Sequence, residues 1–470
     1  MGLMTRKLGN STSSDKSFAV APFEHYMYAD QRKSHSMTVQ MRFWFSGLFD
    51  PEALKTSLEA VLIRHPIFQM TIQGKPYRPT PSLRWLMQQR KKPLMPFICW
   101  KSLGEPITHP TSLSHFDLEN EIGLRLWIRD NRDDTAKISK RQTEILVQFH
   151  HAVCDGIGML QFIEDLMIHY GNYLGTTSIK PKIIDPSLFN CRADFWLTKS
   201  DWRHRSFRDL RRVFNFFKAL AQPLATPATV NTHLDQVANL FASERKILPS
   251  ATLTKARSVA RQVNSSVNDL LLHSLFRTLS PWNERLGKKL LRIRIALATS
   301  LRLSEDERQS SMNIVSMVFL DKTHKQVKGS DLLASVVEET TDVKFNRMGL
   351  ALPRVVGFFG RLPLGMWLFM RAPICSATAV LTNLGSYLSK SPLMQANGKL
   401  KVGDVELESY ELLPPIRPKT SASFAVNYYS GNLSITLRYD STRVSSSVAR
   451  SLLESYCARL ESISVDSVIH

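Results

Sequence analysis

Val39, Met41, Phe43 and Phe45 lie on one side of a period-two pattern, which predicts a strand with a buried face. Beyond Gly47 the period changes. Leu54, Leu58, Val61 and Leu62 form a helical stripe, with Asp50 placed to cap the helix and Pro51 at its first position, where no N–H is needed. A second strand is predicted from Glu144 to Phe149, running directly into His150 and His151. A helix from about Met159 to Tyr173 follows, with Leu160, Ile163, Leu166 and Met167 at helical spacing. The second half alternates in the same way. It reads as a helix around Val267 to Leu272, then a strand through Leu291, Ile293, Ile295 and Leu297 that ends at Ser300-Leu301-Arg302. Further strands are predicted at Asn313 to Leu320 and Ala377 to Leu384. A hairpin should turn at Ser430-Gly431-Asn432, and a closing helix should run from about Ser447 to Leu460. The expected fold class is therefore α/β in the broad sense (α+β, mixed sheets), with two lobes that are each a sheet covered by helices.

The pattern also divides the chain. Residues 1–20 are polar and should fray, residues 21–180 form a first lobe, 181–230 a connection and 231–470 a second lobe. Inside the connection, Asp201 to Leu220 is basic and amphipathic, with Trp202, Phe207, Phe214, Phe216 and Phe217 beside several arginines. It reads as a surface crossover helix packed on the body or, alternatively, as a contact to a membrane or an acidic partner.

With 470 residues, 43% of them hydrophobic, each lobe can bury a core of its own. The five cysteines (Cys99, Cys154, Cys191, Cys375, Cys457) are odd in number, dispersed and without CxxC spacing, which argues against a disulfide framework and a zinc site and favours a reducing, cytoplasmic setting. The first residues lack the apolar core of a secretory signal, and Arg6 stands where a myristoylation motif wants Ser or Thr. The most apolar stretch, Leu350 to Leu381, is interrupted by Arg354, Arg361, Arg371 and prolines, so no spanning helix is expected. A net charge of +20 calls for acidic partners or surfaces. No nucleic-acid-binding motif accompanies it, so nucleic acid is set aside.

The chemistry concentrates in His150-His151-Ala152-Val153-Cys154-Asp155-Gly156, at a strand-to-helix turn. Side chains alternate along a strand, so the two histidines should point to opposite sides, and only one can face a given cavity. Imidazole titrates near neutrality and is suited to take a proton from an attacking hydroxyl or amine. Asp155 reads equally as an N-cap and as an electrostatic group, and Gly156 as a tight-turn residue. Cys154 reads as a small buried residue. The remaining histidines, His65, His169 and His273 among them, read as packing or surface residues, and no His/Asp/Glu spacing suits a metal. A Gly-x-Ser-x-Gly elbow, a Walker loop and a dinucleotide fingerprint after a strand are absent from the sequence.

The heptad closely resembles the motif of the HHxxxDG acyltransferases, the superfamily of condensation domains, wax ester synthases, alcohol acetyltransferases and chloramphenicol acetyltransferase. Other segments fall in the matching order: Gly47-Leu48-Phe49-Asp50, Arg64-His65-Pro66, Val267 to Leu271, Ser300-Leu301-Arg302, Leu381-Thr382-Asn383-Leu384-Gly385, and the Tyr428 to Asp440 hairpin. The resemblance implies two lobes with a channel between them, His151 as general base, His150 supporting the turn, and Asp155 paired with an arginine of the second lobe, for which Arg302 is the candidate. Gly156, Arg302 and Asn383 are the residues expected to line or hold the substrate channel. The implied co-substrate is acyl-CoA or a phosphopantetheinyl carrier protein, with no bound cofactor, a small alcohol or amine as acceptor, and a monomeric chain. Wax ester or diacylglycerol acyl transfer at a lipid surface, with peripheral membrane contact, is the alternative, and a non-catalytic carrier-protein-binding or acyl-binding relative is another. The Asp-Phe-Gly-Trp-Gly sequence of the plant branch is missing.

Overall fold

The computed structural model describes residues 16–88, 92–132, 141–190, 239–285, 292–302, 309–345, 348–371, 377–418 and 420–469. The basic segment from Asp201 to Leu220, with Leu291, Cys191 and Cys375, lies outside them. Lys16–Ala19, within the stretch expected to fray, instead form a strand, β1.

Two six-stranded mixed sheets organise the chain. The first contains β2 (Thr38–Ser46), β5 (Phe97–Ser102), β6 (Leu124–Asp130), β7 (Gln142–His150), β12 (Lys401–Val402) and β13 (Val405–Leu413), in the order β12-β13-β2-β7-β6-β5. β7 pairs antiparallel with β2 along all nine residues, up to His150 opposite Thr38, and with β6 from Thr143 to Phe149 on the other edge. The second sheet contains β8 (Ser243–Leu248), β9 (Ile293–Ser300), β10 (Val315–Lys322), β11 (Ala379–Asn383), β14 (Ala422–Tyr429) and β15 (Asn432–Tyr439), ordered β10-β9-β11-β14-β15-β8. β11 runs parallel to both neighbours, which carries Asn383 and the end of β9 to the same edge. A small sheet joins β1, β3 (Thr71–Gln73) and β4 (Arg84–Met87).

Sheet membership does not follow chain order. β12 and β13 come from the second half and complete the first sheet, with a bulge between Leu407 and Ser409 where β13 meets β2. One buried apolar cluster accordingly mixes Met41, Val147 and Leu160 with Ile314, Leu384 and Leu412, and a second holds Ile295, Leu381, Phe424 and Tyr456. The β14–β15 turn sits at Ser430 and Gly431, both at positive φ (49° and 76°), as a two-residue turn matched to strand twist requires.

Candidate active site

The strand-to-helix turn owes its shape to Asp155. Its Oδ1 accepts the Gly158 N–H at 2.8 Å and caps the Gly156–Tyr173 helix, which starts three residues earlier than its apolar periodicity indicates. The same carboxylate receives Arg302 in a fork, at 2.8 Å on Oδ2 and 2.9 Å on Oδ1, and the Ile314 N–H at 2.7 Å. The cap and the ion pair are compatible because two carboxylate oxygens offer about four acceptor positions. Arg302 also donates to the Met312 carbonyl at 3.2 Å. Although burial opposes it, the Asp155 carboxylate raises the Arg302 guanidinium above its ordinary value. This arginine is therefore engaged by protein groups and closes the two lobes on each other.

The segment from Gln309 to Ile314 makes the other crossings. Asn313 donates to the His151 carbonyl at 2.6 Å, Ser311 Oγ to the Gly158 carbonyl at 2.7 Å, and the Ser311 N–H to His65 Nδ1 at 2.9 Å. His65 Nε2 in turn donates to Asp165 at 3.0 Å, and Arg64 reaches the same oxygen at 2.9 Å. His65, read from sequence as a packing residue, is thus a buried bridge between lobes; its place in Arg64-His65-Pro66 was the available signal. Asn313 had no sequence signal, because its partner is a backbone oxygen.

The two histidines part as strand alternation requires. His150 is fully buried, its ring edge-on to Phe116 with centroids 6.2 Å apart. Its Nδ1 accepts the Ala152 N–H at 3.0 Å, which places the proton of the neutral ring on Nε2. Burial, then the neighbouring His151 and His115, push its pKa down to about 3, so it stays neutral and holds the turn. His151 has its backbone tied on both sides: its N–H donates to the Met37 carbonyl at 2.8 Å and its carbonyl accepts Asn313. Its Nδ1 lies 3.2 Å from the Cys154 carbonyl, an acceptor only, so Nδ1 must carry the proton. Nε2 is left with its lone pair and no partner among the described residues. Burial lowers the pKa of this imidazole and Asp155 opposes the shift.

His151 opens on a cavity of about 70 Å³ between the lobes, lined also by Gly156, Ser300, Thr382, Asn383, Leu384 and Pro414. Gly156 is the first helical residue beyond the turn, and an added Cβ would come within 2.8 Å of the Leu384 side chain. Asn383 faces the cavity while donating to Asn268 at 3.3 Å and Tyr428 at 3.2 Å, and its own oxygen accepts the Gly385 N–H at 2.9 Å. Cys154 is fully buried behind the turn, and burial drives its thiol well above the ordinary range, which removes it as a nucleophile.

By sequence, no family model matches the chain and no curated protein matches it. Solved structures do match in fold. The first condensation domain of the calcium-dependent antibiotic synthetase superposes with a TM-score of 0.67 at 11% identity, over 96% of this chain and 97% of that one. A trichothecene 15-O-acetyltransferase from Fusarium sporotrichioides gives 0.67 at 12% identity, over 97% and 96%. A four-domain nonribosomal peptide synthetase bound to AMP and glycine gives 0.64 at 13% identity; 98% of this chain aligns, but it spans only 34% of that protein. With its two mixed sheets, two strands of the second half completing the first sheet and a cleft at the end of β7, this chain has the two-lobed fold of that condensation domain and of that acetyltransferase.

Proposed function

We propose that the chain is an acyltransferase that moves an acyl group from a thioester, on CoA or a carrier protein, to a hydroxyl or amine, with His151 as general base. The observation that carries this reading is the His151 ring. Its Nδ1 proton is committed to the Cys154 carbonyl, so Nε2 is an unprotonated acceptor at an inter-lobe cavity. A lowered pKa keeps it in that form at neutral pH.

In the proposed reaction Nε2 takes the acceptor's proton as the acceptor attacks the thioester carbonyl. The tetrahedral adduct then collapses, the C–S bond breaks, and the imidazolium returns the proton to the departing thiolate. No acyl-enzyme is needed, which agrees with a buried, unactivated Cys154. Much of the acceleration comes from holding the two reactants together beside a fixed base, whose backbone is clamped from Met37 and Asn313. The trichothecene acetyltransferase of the same fold acts, by its name, on an oxygen acceptor; a double mutant of a starter condensation domain was solved in complex with C8-CoA and Leu-SNAC. Both precedents support acyl transfer, and the acceptor class is left to experiment.

The test is release of free thiol from acyl-CoA and acyl-carrier thioesters of graded chain length, offered with a panel of alcohols and amines. Acceptor-dependent thiol release matched by acylated product is expected. Donor binding without any transfer across the panel would favour a binding-only protein and defeat the proposal.

A further inference from the structure

We propose that the helical hairpin Ala351–Arg371 is a docking face for an anionic lipid surface. Two helices, Ala351–Arg361 and Gly365–Arg371, are joined by Leu362-Pro363-Leu364. Their inner side is accounted for: Leu352, Val356, Met366 and Met370 belong to the first core, and Arg32 fixes the hairpin's end by donating to the Met370 carbonyl at 2.7 Å. The outer side is not. Phe358 and Leu364 are each 62% exposed, Leu368 58% and Leu362 41%, all between Phe358 and Leu368. Single exposed apolar residues are ordinary, whereas a contiguous group of this kind marks a contact surface. Leu364 adds an independent sign, since it sits at φ +57°, a left-handed conformation uncommon outside glycine, and does so with its side chain in water.

Charge selects the occupant. Between Asp342 and Asp404 the sequence has no carboxylate, while Arg354, Arg361 and Arg371 flank the apolar residues. Helical spacing puts Phe358 and Arg361 on one face of the first helix and Leu368 and Arg371 on one face of the second, with Leu364 exposed in the turn between them. Each helix thus pairs apolar side chains with arginine, the arrangement in which aromatic and leucine side chains enter the acyl boundary and guanidinium groups meet headgroup phosphates. The net charge of +20 supplies longer-range attraction to the same surface. This inference does not depend on acyl transfer.

Sedimentation of the full chain with vesicles tests it, using phosphatidylcholine alone and phosphatidylcholine mixed with phosphatidylserine. Binding to the mixed vesicles is expected, weaker to the neutral ones and reduced by salt. F358S/L364S/L368S and R361E/R371E should each lower partitioning by about tenfold or more, since one basic residue near such a surface contributes roughly a fivefold factor. Thermal unfolding of both variants, read alongside, should stay near wild type because every altered residue is exposed. Wild-type-like vesicle binding by folded variants would overturn the proposal and place the contact elsewhere. Absence of vesicle binding would also overturn it, as would a self-association or acidic-carrier interaction lost in the same variants while vesicles are ignored.

Discussion

The two sides of the β7 end differ in kind. On the His150 side the surroundings are closed: a ring against Phe116, one backbone hydrogen bond, no access to solvent and a pKa depressed to about 3. On the His151 side they are open on the cleft, with one ring nitrogen committed and the other without a partner among the described residues. The difference arises from a single step along a strand whose successive side chains point to opposite faces. An identical pair of residues can thus occupy one closed and one open site without any change in covalent chemistry. What makes the division durable is the turn beyond them, which the second lobe clamps through Arg302, Asn313 and Ile314.

The largest effect should come from breaking that clamp. Asp155→Ala leaves the Arg302 guanidinium without its counter-charge and two backbone N–H groups without their acceptor, and losing one partner of such a buried pair costs about 3–5 kcal/mol. A cycle with Arg302→Ala, read by unfolding free energy, should show strong coupling; additive effects would mean that the pair contributes little. Overpacking should come next. A Cβ at Gly158 would lie 2.6 Å from the Cys154 sulfur and 2.9 Å from the Met312 carbonyl, so Gly158→Ala should cost roughly 1–3 kcal/mol of stability. An unfolding midpoint equal to wild type would show that the crossing segment yields freely.

The closed side has its own signature in pH. The folded pKa of His150 lies near 3 and its unfolded value near 6.5, so the unfolded chain binds the extra proton between them. Stability from this site is therefore complete above pH 6.5 and declines as pH falls toward 3, with a limiting slope of about 1.4 kcal/mol per unit. Replacing His150 by Phe should remove that component of the acid slope, as denaturant titrations at stepped pH would show; an unchanged slope would mean the ring protonates freely in the folded state. The smallest effect should be Asn313→Ala, which deletes one hydrogen bond to the His151 carbonyl, about 1 kcal/mol. Its measurable trace should be a lower kcat with donor affinity retained.

Much of this was legible in the sequence where one pattern served one purpose. β2, β7, β9 and the helices beginning at Pro51 and Gly156 follow from clean periods, and the division of the histidines follows from alternation. β13 was not legible as part of the first sheet, because the bulge between Leu407 and Ser409 breaks its period of two and its partner β2 lies some 360 residues away in sequence. Asp155 allowed two readings because a carboxylate has acceptor positions enough for a cap and an ion pair together, and Oδ1 takes part in both. The apolar run after Leu350 was readable as too interrupted to span a membrane; among the described residues no helix is long and apolar enough to do so. That it folds into an amphipathic hairpin depends on packing against the Pro22–Ala29 helix, which no local pattern encodes.

The central claim is that His151 removes the acceptor's proton, and single-turnover acyl transfer by His151→Ala tests it most directly, with donor binding and thermal unfolding measured on the same preparation. The account predicts a folded variant that binds the thioester as wild type does but transfers the acyl group on the order of 10²–10⁴ times more slowly. Where wild type can be followed through its acid limb, that limb should fall below pH 6.5, because burial lowers the His151 pKa and the base is lost only on protonation. Full transfer by folded His151→Ala would contradict the assignment.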